Sequence, residues 1–466
     1  MRLLDGVDHL ILLTLRGRSF DHLLGALRLE GREDIHGLRG DEVCPLDGVE
    51  HRVFALDDGG HTSADGPVTC PTPRPPDARP YAWTQLQGAV PAWHPRADWS
   101  HAQPYAGAAT PCSGFARAYA LAHSDADPRL PLGYFTRRSA PTFYALADRF
   151  TVCTRWFASA PASGLTNRLF AVCGEAGPEA ESADPPSRRR TMVELLDRAG
   201  VSWGVYGDGG SLSQLLGGAR STAPIAALLR ALRGDAPLPS VSVVEPDCRL
   251  PHDLQLEERL VYELVEALTS GPRWAKSLLV ITYDGPGGWY DHVPPPETGE
   301  APPFERLGGR VPALLVSPWA VPGVCGLTLD HRALVQGALA RFASAYALSP
   351  QPRDERVAAF GEVEGLDTPR LDPPRLPAPP PAFDVVVKAL AGRAQGLGEP
   401  PVWTREAARL ARPEARPDTK LPPPPRWPRP EEEVERAIED RLGRFERAAE
   451  ALSSRAERAV RKLDGR

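Results

Sequence analysis

A single carboxylate, Asp284, closes an apolar run within the stretch SLLVITYDGPGGWYDHVPPP, residues 277–296. Leu278 to Thr282 is continuous and β-rich, as expected of a strand covered on both faces of a parallel sheet. Gly285, Pro286, Gly287 and Gly288 then forbid any regular continuation. Open α/β sheets place their chemistry at the C-terminal end of such a strand. A carboxylate that merely caps the turn is the other reading. A second candidate is SAPASGLTNR, residues 159–168, where small residues run into a helix beginning near Leu165. A helix N-terminus offers free N–H groups suited to phosphate, and an ordinary capped helix explains the same residues.

The elements that must position these groups alternate. His9 to Leu15 reads as a buried first strand, with Ser19 a helix N-cap and Asp21 in the first turn. Pro141 to Thr151 has helical periodicity and Val152 to Phe157 is strand-like. Thr191–Ala199 (helix), Val201–Tyr206 (strand), Ile225–Leu232 (helix), Val241–Val244 (strand) and Leu254–Leu268 (helix) follow. After the central strand come the strand Val311–Ser317 and a helix opened by Asp330 and His331. The alternation predicts an α/β fold, a mainly parallel sheet with helices on both faces. Residues 1–365 form that domain, with 31–131 an irregular insertion. Residues 366–430 form a Pro-rich extended segment. Residues 431–466 form a helix whose positions 438–463 carry a heptad stripe, the surface for a homo-oligomer or a partner helix.

Composition narrows the class. The chain has 466 residues, a net charge of −6 and 52 prolines, so no basic surface argues for nucleic acid. Seven scattered cysteines without a CxxC pair give neither a zinc ribbon nor a disulfide framework. No apolar stretch reaches the length of a membrane span, and the first residues lack a signal-peptide pattern. The expectation is a soluble cytoplasmic protein.

Four segments carry a family resemblance: LILLTLRGRSFDHLLG, PTFYALADRFTVCTRWFASAPASGLTNRLF, ITYDGPGGWYDHVPPP and GRVPALLVSPWA. In order and spacing, over roughly residues 7 to 345, they resemble the bacterial phosphoesterase family that includes nonspecific phospholipases C and an acid phosphatase. The resemblance implies an alkaline-phosphatase-like fold and metal-assisted phosphoryl transfer. In active members a Glu-Asn pair after the first strand and acidic residues after the central strand hold the metal, and a Thr or Ser hydroxyl attacks phosphorus. Here Arg16-Gly17 stand for Glu-Asn, Gly285-Pro286 follow Asp284, and Gly164 falls at the nucleophile. A divalent metal is the family's cofactor, yet Asp284 is its one surviving candidate ligand. Two functions follow. One is a phosphoric ester hydrolase with a rebuilt site, using Asp284, Ser163, His252, His292 and His331, with Arg16, Asn167 and Arg168 contacting a phosphate ester. The other is a pseudoenzyme serving as a phosphate-binding or scaffold module.

Overall fold

The aliphatic run His9–Leu15 becomes the central strand of an eight-stranded sheet, buried along nearly its whole length. The computed structural model describes residues 1–56, 62–63, 66–67, 73–88, 111–177, 189–207, 222–246, 253–373 and 375–377. Its sheet strands are β1 (His9–Leu15), β2 (Thr151–Cys153), β3 (Trp203–Gly207), β4 (Thr222–Ala223), β5 (Val241–Glu245), β6 (Ser277–Tyr283), β7 (Ala313–Val316) and β8 (Gly323–Cys325). Their spatial order is β4-β3-β5-β1-β6-β7-β2-β8, and β7 alone of the eight runs antiparallel to its neighbours. The fold is therefore α/β with a mainly parallel sheet, as the alternation predicts.

Helices α1 (Phe20–Leu24), α2 (Pro141–Arg149), α3 (Gly164–Cys173), α4 (Met192–Arg198), α5 (Ile225–Arg233), α6 (Leu254–Ser270) and α7 (Arg332–Phe342) surround it. They pack in two groups, α2 and α5 against α6, and α3 and α4 against α7, which covers both faces. Caps fix where they start. The Ser19 hydroxyl accepts the His22 N–H at 3.1 Å, and Thr191 with Glu194 forms a reciprocal capping box. The start of α2 is closed from another helix: Glu258 accepts the N–H groups of Thr142 at 2.8 Å and Phe143 at 3.0 Å.

Two expectations change. The strand expected over Val152–Phe157 ends at Cys153, because the chain then leaves the ladder for isolated bridges, Trp156 with Leu329 and Phe157 with Arg310. Residues 31–131 contain regular elements as well: a hairpin of Val43–Leu46 with Val49–Arg52, and helices Arg79–Gln87 and Phe115–Ala122 that pack together. They enclose their own apolar cluster of Leu38, Cys44, Leu86, Phe115 and Leu132, onto which Tyr290 of the central motif packs. The Pro-rich segment beyond residue 377 and the helix expected over 431–466 lie outside the described residues.

Candidate functional site

Register brings the candidate residues together. Leu15 pairs with Tyr283, so Arg16 and Asp284 leave the sheet side by side. Leu13 pairs with Val244 on the other side of β1, which brings Glu245 to the same C-terminal edge. The turn after β1 and the glycine loop after β6 then touch backbone to backbone. Gly17 has φ +59 and Gly287 φ +63, and a Cβ on Gly287 would lie 2.2 Å from the Gly17 carbonyl oxygen. Only glycine fits there.

Asp284 is buried and held from three sides. Its Oδ1 accepts the Gly17 N–H at 2.9 Å. Its Oδ2 accepts Arg168 Nε at 3.0 Å and Nη2 at 2.8 Å. Its main-chain N–H donates to the Leu15 carbonyl at 2.9 Å. Arg168 also reaches Glu245 Oε1 through Nη1 at 3.3 Å, and Arg16 Nη2 lies 3.5 Å from the same oxygen. Two guanidinium groups thus face two buried carboxylates where β1, β5, β6 and α3 meet.

His331, at the start of α7, belongs to this site. Its Nδ1 accepts the Trp156 indole N–H at 3.2 Å and its Nε2 donates to the Asp284 carbonyl at 3.1 Å. Burial lowers its pKa, so the ring is the neutral Nε2–H tautomer that this pair of bonds requires. Asn167 is spent on the loop: its Oδ1 accepts the Ala160 N–H, and its Nδ2 donates to the carbonyls of Ala160, Ala162 and Ser163. Ser163 is the half-buried N-cap of α3. A Cβ on Gly164 would fall 2.9 Å from Asp284 Oδ2. Position 164 therefore has no room for a side chain while Arg168 holds that carboxylate. Gly164→Thr is expected to lower unfolding stability by about 1–3 kcal/mol in urea titration and to confer no phosphatase activity.

His292 lies elsewhere. It joins Asp21, Asp291 and Arg310 in a second buried cluster. Asp21 Oδ2 accepts His292 Nδ1 at 2.6 Å and its main-chain N–H at 2.8 Å. Arg310 spans both acids, Nη2 to Asp21 Oδ1 at 3.0 Å and Nε to Asp291 Oδ1 at 2.8 Å. Burial works to raise the Asp21 carboxyl, but Arg310 and His292 hold it below the usual range. Burial pushes Asp291 up to about 6 against the pull of Arg310. Burial opposes charge on His292, and the Asp21 carboxylate still raises it above the ordinary imidazole value. Next to this cluster, Arg18 makes a bidentate pair with Glu257, at 2.7 and 3.2 Å, and donates to His22 Nε2. His252 lies outside the described residues.

Glu245 and Arg310 were not among the candidate site residues expected from the sequence. Glu245 could have been found as the acid that ends Val241–Val244, and Arg310 as the cation before the strand VPALLVS.

A divalent cation does not fit Asp284 as these residues stand. Both its carboxylate oxygens accept from N–H donors, and Arg168 occupies the space in front of Oδ2. Hard cations need several oxygen ligands, and Gly17 and Gly285 supply no side-chain donor. The ligand-like atoms of Asp21, Asp291 and His292 lie within 4.8 Å of one another, but Arg310 already bridges the two acids.

A family model described as the Phosphoesterase family matches residues 7–343. The chain is 30% identical over 364 residues to non-specific phospholipase C5 of Arabidopsis thaliana, covering 68% of this chain and 65% of that protein. It is 28% identical over 448 residues to the non-hemolytic phospholipase C of Burkholderia pseudomallei, covering 77% and 58% respectively. The chain thus spans less than two thirds of either relative. Among solved structures it is similar to a Vibrio parahaemolyticus protein in the alkaline phosphatase superfamily, at 12% identity and a TM-score of 0.30, over 46% of this chain and 62% of that one.

Proposed function

We propose that this chain, which belongs to the Phosphoesterase family, is a member whose hydrolytic centre has become a closed ion-pair cluster, so that phosphate esters are not turned over at an appreciable rate. The observation that carries this reading is the Arg168–Asp284 pair beside Gly164: both carboxylates of the cradle face guanidinium groups, and position 164, where the family resemblance puts the nucleophile, has no side chain. The test is hydrolysis of chromogenic phosphate mono- and diesters with and without divalent metal. Turnover abolished by Ser163→Ala or Asp284→Ala would show a rebuilt hydrolase and overturn the proposal.

Of the two noncatalytic roles, charge pairing at the cradle favours a scaffold over a phosphate receptor. An anion needs cations with charge to spare, whereas Arg16 and Arg168 face Glu245 and Asp284. The surface for that role is the stripe over residues 438–463, which joins the chain to a second copy or to a partner helix. Removing residues 431–466 is expected to reduce the mass seen by multi-angle light scattering to that of a single chain. An unchanged mass per particle, corrected for the deletion, would remove the self-association version. Among the described residues no helix is long and apolar enough to cross a membrane.

A further inference from the structure

Away from the cradle, β2 and β8 place two cysteines in register. Cys153, the last residue of β2, pairs directly with Cys325, the last residue of β8, in parallel alignment. Side chains at paired positions of adjacent strands stand on the same face, and the strands lie only about 4.8 Å apart, within the Cα separation that a disulfide spans. Both cysteines are free. Their surroundings differ in the way a reactive pair requires. Cys153 is fully buried in the apolar core, while Cys325 sits on a strand at the edge of the sheet and is partly exposed.

The two thiols also bias each other. Hydrogen bonding with Cys325, followed by burial, pushes Cys153 far above the ordinary thiol value, so Cys153 is the donor. The bond it donates lowers Cys325 to about 7, which populates the thiolate near neutral pH. The other described cysteines are the opposite case: burial pushes Cys44 and Cys173 up to about 12 and Cys112 well above the ordinary value. Among the described residues, one partly exposed cysteine therefore has thiolate character and a buried thiol at the paired position of the next strand to resolve it.

We propose that Cys325 and Cys153 form a peroxide-reactive dithiol, in which Cys325 is the attacking sulfur and Cys153 the resolving one. The thiolate of Cys325 attacks one oxygen of hydrogen peroxide; the O–O bond breaks, and the leaving hydroxide takes a proton to become water. The resulting Cys325 sulfenic acid is attacked by the Cys153 sulfur, which gives up its proton. The S–O bond breaks, the sulfenic hydroxyl leaves as a second water, and a disulfide remains. Two electrons pass from the two sulfurs to the peroxide. The bond ties the edge strand β8 to β2, whose continuation carries the loop into α3.

The experiment uses the full chain, reduced and freed of reductant, then exposed to a few equivalents of hydrogen peroxide near neutral pH. After quenching, it is alkylated with N-ethylmaleimide in denaturant and measured by intact and peptide mass. The reduced chain takes up seven labels, one for each cysteine. The oxidised chain is expected to take up two fewer and to yield a peptide pair linked through Cys153 and Cys325. Cys325→Ser should lose that pair. Cys153→Ser should instead trap the sulfenic acid as a dimedone adduct on Cys325. Should Cys153→Ser fail to fold, brief native alkylation of the unmodified chain gives the second readout, with Cys325 labelled ahead of Cys44, Cys112 and Cys173. Full labelling after peroxide, a linkage between other cysteines, or native labelling that spares Cys325 would each overturn the proposal.

Discussion

Purified protein is expected to hydrolyse p-nitrophenyl phosphate and its bis-ester no faster than buffer, in the presence or absence of calcium, manganese or magnesium. The size of the effect follows from what is missing. Removing a nucleophile from an enzyme that depends on it costs on the order of 10⁶-fold in rate, and removing its metal costs several orders more, though the two losses are not additive. Here glycine stands at position 164, and the Asp284 carboxylate is neutralised by Arg168. Either change alone removes most of the rate such a hydrolase depends on. Ser163 is close in sequence, but it is the N-cap of α3, and its carbonyl is tied by the Asn167 main chain and amide. The check is the slope of released nitrophenolate against protein concentration; a slope indistinguishable from zero is the expected result.

The largest structural effect is expected from Arg310→Met. Arg310 is fully buried between Asp21 and Asp291, themselves buried, and stacks over the Phe20 ring at 4.5 Å. Its Nη1 also donates to the carbonyls of His36 and Thr154, which ties the insertion to the sheet. Removing one partner of a buried ion pair costs about 3–5 kcal/mol because it leaves the other charge uncompensated. Here two carboxylates lose their shared cation. Lysine cannot replace it, since a point charge does not span two acids as a planar fork does. The defect also has a pH sign. Burial raises Asp291 to about 6, so its contribution to stability is fully present below its unfolded value and is lost as pH rises through about 6. Without Arg310 the Asp291 carboxyl rises further and the Asp21 carboxyl loses the larger of the two charges that hold it down. The deficit in urea unfolding is therefore larger at pH 8 than at pH 5.

Strand and helix positions were legible in the sequence wherever apolar periodicity was strong. Leu10–Leu13 and Leu278–Ile281 are unbroken aliphatic runs, and Leu254–Ser270 repeats every three to four residues. Residues 31–131 were less legible because proline and glycine are dense between the two short helices there. Arg79–Gln87 begins with a proline in its first turn, which favours a helix start as much as it disrupts a helix interior. The antiparallel sense of Ala313–Val316 carries no local signature, since a buried strand reads the same in both directions.

At the site, the sequence placed Arg16, Gly164, Arg168 and Asp284 in order along the chain but not in contact with one another. Arg168 read as a group free to meet a phosphate. Its role as the partner of Asp284 depends on α3 beginning against the end of β6, which only the register and the loop path define. His292 and His331 looked equivalent in the chain, yet one binds Asp21 and the other the Asp284 main chain. Glu245 was given no site role for the same reason: its importance comes from β5 being the neighbour of β1 across the sheet rather than along the chain.

If the Arg168 guanidinium stands where a metal would sit at Asp284, calcium and manganese, which prefer oxygen ligands, should find no site there. The full chain is equilibrated with either ion, gel-filtered and measured by elemental mass spectrometry beside Asp284→Asn. Bound metal is expected well below one ion per chain, the same in both proteins. About one ion per chain, lost in Asp284→Asn, would contradict it, because a hard cation held there needs the oxygens that Arg168 and Gly17 now occupy.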